Sequence, residues 1–440
     1  MATIMNEVTA LAVQRRVVFR LATFFLLLQL MNAIDRSNIS FAATAMNADL
    51  GFDARVYGFG ISCFFLSYIF FQFPAIFAMR RFGPSKTLGL IVVSWGLVSM
   101  AMAAVQDAYS FYVLRFLLGM TEAGAVPVML YYASCWTPQK NQGAFFKIMT
   151  LSWPLAVVIG APLASLLMNH LGQIGGLPGW RWLFIAEGIP TVALGLFALI
   201  WLADSPAHAR NLSEPERQWL VAQLQHDKAV AEAAAPQQAK SSFLMSALAD
   251  RRVWLLSLAY FGEIAGLYGA VFWLPQVIGQ LSPEIGSDRA ILLTMVPFAV
   301  GTVTLLLNAA RSDRKQERSW HITGGFLVGA LGLGSTGLIS DPWLGFVALT
   351  IGIAGLCAAT GLFWSIPTGM FRGLAHAAAA FTLINVVGNV SGLVIPAVIG
   401  MLRVATGDFS SALLLLAGLL LMSAALMRIV GEPADGLAVA

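Results

Sequence analysis

Opposite charges stand inside runs of apolar residues in this chain. Asp35 and Arg36 are neighbours in "NAIDRSNIS", which follows a long, mostly apolar stretch, and Arg115 and Glu122 lie in "RFLLGMTEAGAVP". Glu187 in "FIAEGIP" and Glu263 in "YFGEIAG" complete the set. A charge at the centre of a membrane-crossing helix costs about 2.5–3.5 kcal/mol, so it pairs or lines a wet cavity. Two guanidiniums at one level can hold a carboxylate through forked hydrogen bonds that lysine does not reproduce, while carboxyl groups take up and release protons. The chemistry is anion recognition beside proton exchange. The blander reading is that Asp35 with Arg36, and Arg115 with Glu122, neutralise each other so that the helices can insert. A purely structural ion pair stabilises poorly in low dielectric, which argues against it.

The elements that position these charges follow from composition. Of 440 residues, 58% are hydrophobic and 11% charged, against about 25% charged in soluble chains. Apolar runs near the ~20 residues that cross a bilayer recur along the sequence, without the alternation of a membrane β-barrel. They predict an all-α membrane protein with twelve spans, at roughly 17–46, 56–79, 86–106, 109–132, 143–169, 181–203, 253–280, 289–311, 320–339, 343–371, 374–402 and 409–430. A rise of about 1.5 Å per residue brings Arg36 and Arg115 to similar heights, with Glu122 one or two turns deeper and Glu263 at the midplane. Arg115 and Glu122, separated by nearly two turns, share a helix face.

Most of the 26 lysines and arginines fall in alternate loops, which predicts cytoplasmic termini at a cell membrane. The net charge of +4 thus reports topology and calls for no nucleic-acid partner. Cys63, Cys135 and Cys357 lie in apolar surroundings without metal or disulfide spacing. No cofactor or metal is expected.

One long polar stretch, 204–252, separates six spans from six. It predicts an N-terminal bundle (1–203), a central cytoplasmic loop (204–252) and a C-terminal bundle (253–440). "MRRFGPSK" after the second span and "RSDRKQER" after the eighth occupy matching places, which favours duplication. Paired bundles holding a ligand near the midplane are an architecture of secondary transporters.

The chain resembles the major facilitator superfamily and, within it, the organic-acid branch of the anion:cation symporters. The stretches that carry the resemblance are "IDRSNISFAATAMNADLG", "RFLLGMTEAGAVP", "GWRWLFIAEGIP", "YGAVFWLPQVI", "RSDRKQERSWH", "FWSIPTGM" and "INVVGNVSG". The resemblance implies that Arg36 contacts a substrate carboxylate, that Arg115 and Glu122 match the family's fourth-helix arginine and glutamate, with Glu122 the main proton-coupling group, and that Asp35 assists it. Arg115, at the level of Arg36, is the second substrate-binding guanidinium. It implies cavity-facing places for Tyr68, Asn385 and Asn389, a packing role for Glu187, and a gating loop at Asp313 and Arg314. The loop after the second span departs from the family pattern, with Arg80 at the usual acidic position. Tyr268, Trp273 and Trp364 are candidates to pack on an organic substrate, with helix packing the alternative for each. Glu263 is a possible additional site that tunes selectivity or titrates.

The expected function is proton-coupled uptake of a small organic carboxylate (an aromatic, hydroxy or sugar acid) by a chain that works as a monomer. Export or anion exchange on the same fold is the alternative. A membrane enzyme or sensor is remote: the five histidines are scattered, HExxH, GxSxG and Walker A patterns are missing, and no output domain remains.

Overall fold

The computed structural model of the chain describes residues 7–432 except 138, 173, 210, 235–239, 373 and 375, and leaves aside the side chains of 7–11, 139–150, 228, 230–234 and 240–243. The described residues form helices and no strands. The long ones are α1 (Glu7–Leu50), α2 (Ala54–Phe82), α3 (Pro84–Ala101), α4 (Ala108–Trp136), α5 (Gln139–Leu171) and α6 (Gly179–Trp201), then α7 (Arg251–Leu281), α8 (Pro283–Lys315), α9 (Ser319–Thr336), α10 (Pro342–Met370), α11 (Ala377–Thr406) and α12 (Ser410–Val430). Two helices, Glu214–Ala234 and Lys240–Ala249, occupy the polar connection.

Eleven of the twelve, all but α9, are long and apolar enough to cross a membrane. Helix α9 has 18 residues, about 27 Å at the helical rise, but opens on Ser319, Trp320 and His321 and is rich in glycine. It still packs on α10 and α12, as a bundle member must.

Aspartates start several of these helices by accepting the first free backbone N–H groups. Asp53 takes Val56 N at 2.9 Å for α2, Asp107 takes Ser110 N at 2.7 Å for α4, and Asp341 takes Leu344 N at 2.8 Å for α10.

Packing repeats with an offset of six. Helix α1 packs on α5 as α7 does on α11, α2 on α4 as α8 on α10, and α3 on α6 as α9 on α12. A carboxylate just past the sixth helix of each half ties down the start of its third. Asp204 accepts from Ser85 N at 2.9 Å, and Glu432 accepts from Ser319 N at 2.6 Å. These are two six-helix bundles on one plan.

The bundles meet where α2 lies on α11 and α5 on α8. The ends of α2 and α11 approach closely: a Cβ at Gly58 would sit 2.4 Å from the Pro396 carbonyl oxygen, and one at Gly400 2.2 Å from that of Ala54. Beside them the Tyr57 hydroxyl donates to the Phe272 carbonyl at 2.8 Å. The two bundles close against each other at this end. Between α4 and α10 the described residues make at most sparse contact.

Candidate functional site

Helix α1 presents two neighbouring charges to different partners, because successive residues on a helix point about 100° apart. Arg36 turns toward α4, where its Nε donates to Glu122 Oε1 and its guanidinium forms an ion pair with that carboxylate. Asn32, one turn earlier on α1, donates to the same oxygen at 2.7 Å. Both Arg36 and Glu122 are buried. Glu122 Oε2 has no hydrogen-bond partner among the described residues, so the carboxylate has one occupied oxygen and one free.

Aromatic faces surround this pair. The Arg36 guanidinium lies 4.6 Å from the Tyr68 ring centroid, 5.4 Å from Phe64 and 5.6 Å from Trp153, distances at which a ring face attracts a cation. Tyr268, from α7 in the other half, stands 4.6 Å from Phe65 and within reach of Arg36. Both bundles therefore contribute to one site.

Arg115 is buried against Phe64, its guanidinium 4.8 Å from the ring centroid. It makes no ion pair among the described residues, and its Nε has no hydrogen-bond partner among them. The neutralising pairs expected as the blander reading do not form. Arg36 takes Glu122 instead of Asp35, since Asp35 points away from it, and Arg115 is left with an aromatic face.

Asp35 faces α3 in a cage of donors: Trp95 Nε1 at 2.9 Å, Asn38 Nδ2 at 3.2 Å and the Ser99 hydroxyl. Glu187 of α6 is buried with Asn38 as its polar neighbour. Asp35 and Glu187 thus flank Asn38 in a second polar cluster behind α1.

In the C-terminal bundle Glu263 is buried near Thr360, where the first segment of α10 (Pro342–Thr360) ends. After four non-helical residues α10 resumes as Ser365–Met370. Helix α4 is interrupted too, between Ala108–Glu122 and Ala125–Trp136. Interruptions at corresponding places in two halves are the mark of a transporter binding region; here one directly follows Glu122 and the other adjoins Glu263.

The remaining expected residues make contacts of their own. Trp364, at the α10 interruption, packs edge-on against Tyr260 at 5.1 Å. Trp273 packs on Tyr57 at 4.9 Å, beside the α2–α11 contact between the bundles. Asn389 Nδ2 turns back to the Asn385 carbonyl at 2.8 Å, and no hydrogen bond joins these two to Arg36 or Glu122. Asp313 pairs with Arg318 and not with Arg314. Sequence reasoning missed Asn32 and Trp153 as members of the Arg36 site. Asn32 sits one turn before Arg36 on α1 and was legible from that spacing; Trp153 carried no signal apart from being aromatic.

The family model described as Major Facilitator Superfamily matches residues 25–396. A relative from Agrobacterium vitis, named provisionally as a tartrate transporter, is 39% identical over 96% of this chain and 91% of its own length. A quinolone resistance transporter from Acinetobacter baumannii is 37% identical over 94% of each chain. Among solved structures, a D-xylose-proton symporter superposes with a TM-score of 0.75 at 15% identity, over 97% of this chain and all of that one, a likeness of fold alone.

Proposed function

The chain belongs to the major facilitator superfamily, a family of multi-pass membrane transporters and not of enzymes, and from that premise we propose that it carries a small organic carboxylate into the cell together with a proton. The observation that carries this reading is the Glu122 carboxylate seated on Arg36. Glu122 occupies the guanidinium as an internal anion. A substrate carboxylate needs the same forked donors. Protonating Glu122 removes the competing charge and frees Arg36, so proton and anion each favour the other's binding. Such coupling is reciprocal by linkage, and symport follows from it. Arg115, buried without a carboxylate, is a second handle for an acid, and Tyr68, Trp153 and Tyr268 supply walls that a hydroxy, sugar or aromatic acid can contact. Asp35 acts as an accompanying proton acceptor behind α1.

The close approach of α2 and α11 at the end expected to face outward, and the sparse contact between α4 and α10, fit an inward-facing state of a carrier that rocks about its midplane site, with 204–252 as the cytoplasmic connection between bundles 1–203 and 253–440. A monoanion entering with one proton moves no net charge. Each further proton adds about 2.3 kcal/mol per 100 mV of membrane potential.

The relative named for quinolone resistance favours a second reading, proton-driven export on the same frame. Purified protein in liposomes separates the two. With tartrate and a panel of hydroxy, sugar and aromatic acids, an inward proton gradient is expected to drive accumulation that a protonophore abolishes. Accumulation indifferent to the gradient, or loss of a preloaded acid against its own gradient as protons enter, would overturn symport.

A further inference from the structure

The consecutive helices α8 and α9 are joined near their loop, where Asn308 Nδ2 donates to the His321 carbonyl at 3.3 Å, but pack far less on each other than each does on α10. They splay, and a groove of about 650 Å³ opens between them with α10 as its floor. That volume lies within the range of small-molecule sites. In the first half the matching helices α2 and α3 pack on each other. None of the residues around Arg36 and Glu122 lines it.

Its two ends differ in chemistry. Along most of its length the lining is apolar, with Val300, Val328 and Ile351 exposed. The space is real at Gly324, where a Cβ would meet nothing within 4 Å. The polar groups here are already spent: Thr304 donates to the Ala354 carbonyl at 2.9 Å and Asn308 to that of Ala358 at 2.9 Å, stitching α8 to α10. At the end nearest the α8–α9 loop the lining becomes cationic, with Arg311, Lys315 and His321. His321 is held by Glu317 at 2.5 Å. Arg311 and Lys315 are exposed, make no ion pair among the described residues, and meet no carboxylate in the lining. Trp320 stands exposed beside them with Arg428 over its ring at 3.8 Å.

We propose that this groove is a binding site for an anionic phospholipid. Its phosphate sits between Arg311 and Lys315 and one acyl chain lies along the apolar wall between α8 and α9. Charge complementarity selects the headgroup, and the position suits it, because this loop falls on the side that the charge pattern assigns to the cytoplasm. Basic pockets between helices at that leaflet hold anionic headgroups. A soluble anion would satisfy the two cations but leave the apolar length unfilled, which is why a lipid is the occupant.

Native mass spectrometry of the full chain, titrated with phosphatidylglycerol and separately with phosphatidylcholine, tests this. Phosphatidylglycerol is expected to bind with one preferred copy. The double substitution Arg311→Ala with Lys315→Ala should weaken it about tenfold or more. Gly324→Phe, which fills the groove and leaves every charge in place, should weaken it too, and provides an independent test if the double variant fails to fold. Equal retention of the two lipids by the native chain, or undiminished phosphatidylglycerol binding by both folded variants, would overturn the proposal. So would inorganic phosphate displacing the lipid at equal concentration, since it would reduce the site to an anion contact.

Discussion

The two halves of this molecule share a scaffold and divide its chemistry unequally. Each packs its helices in the same pairs, interrupts its fourth helix, and ties the start of its third helix to a carboxylate beyond its sixth. Yet the first half buries Asp35, Arg36, Arg115, Glu122 and Glu187, whereas the membrane part of the second buries Glu263 and no cation among its described residues. Duplication keeps a backbone plan because helix packing tolerates only a few geometries. Buried charge is costly wherever it is not used, so one charged half suffices when the other supplies walls. Tyr268 is the clearest instance: it brings a second-half side chain to the first half's guanidinium.

The sharpest way to break that contrast is Glu122→Gln. The amide keeps the shape and cannot ionise, so it mimics the protonated carboxyl permanently. Accumulation driven by a proton gradient is expected to vanish, while exchange of labelled for unlabelled acid across liposomes persists. Gradient-driven accumulation by this variant would remove Glu122 from the coupling step. Next comes Arg36→Lys, which preserves the charge and loses the fork. Hydrogen bonds to charged groups contribute about 1.5–3 kcal/mol each, so initial uptake should fall about 10- to 100-fold. Unchanged uptake would show that Arg36 serves Glu122 and not the substrate.

The membrane frame was legible in the sequence because hydrocarbon thickness fixes the length of an apolar run. The twelve expected spans and the twelve helices differ mainly at their ends: 17–46 became Glu7–Leu50 and 143–169 became Gln139–Leu171. Such runs locate the hydrocarbon and not the helix termini, which continue into water. The charged residues were legible as a set and not as pairs. Adjacency put Asp35 beside Arg36 in the chain, but the helix sent one to α3 and the other to α4. The interruption after Glu122 was hidden, since Ala123 and Gly124 look like ordinary small residues of a packed helix. Whether Trp364, Asn385 and Asn389 join the Arg36 site depends on how the bundles are set against each other, which no local pattern encodes.

Glu263→Gln sharpens the comparison from the second half. Its carboxyl adjoins Thr360 at the α10 interruption and has no cation partner among the described residues. Transport should survive with its coupling to protons intact, and the relative rates for different acids should shift by a few-fold, of the order a single contact contributes. Loss of gradient-driven accumulation as complete as in Glu122→Gln would mean that both halves carry coupling groups, and the asymmetry drawn here would be wrong.

The smallest effect concerns how the sparsely charged half is pinned at its surface. Asp250 caps α7 by accepting from Arg252 N at 2.9 Å, pairs with Arg252 Nη2 at 2.8 Å and reaches His376 Nε2, at the start of α11, at 3.4 Å. The bonds from Arg252 outweigh partial burial and hold the Asp250 carboxyl below its ordinary range. A group whose value is lowered on folding stabilises the fold at pH above its unfolded value, about 3.9, and loses that contribution as pH falls through the folded one. Asparagine caps a helix as well as aspartate does, so Asp250→Asn deletes the charge alone. The pair is solvent-screened, and screened pairs contribute little. The variant should therefore melt only about 1–3 °C below the native chain at pH 7, with the gap closing as both are titrated toward pH 3. A gap that persists undiminished in acid would locate the contribution of Asp250 in its geometry and not in its charge, and the tie between α7 and α11 would then be a matter of packing, as in the rest of that half.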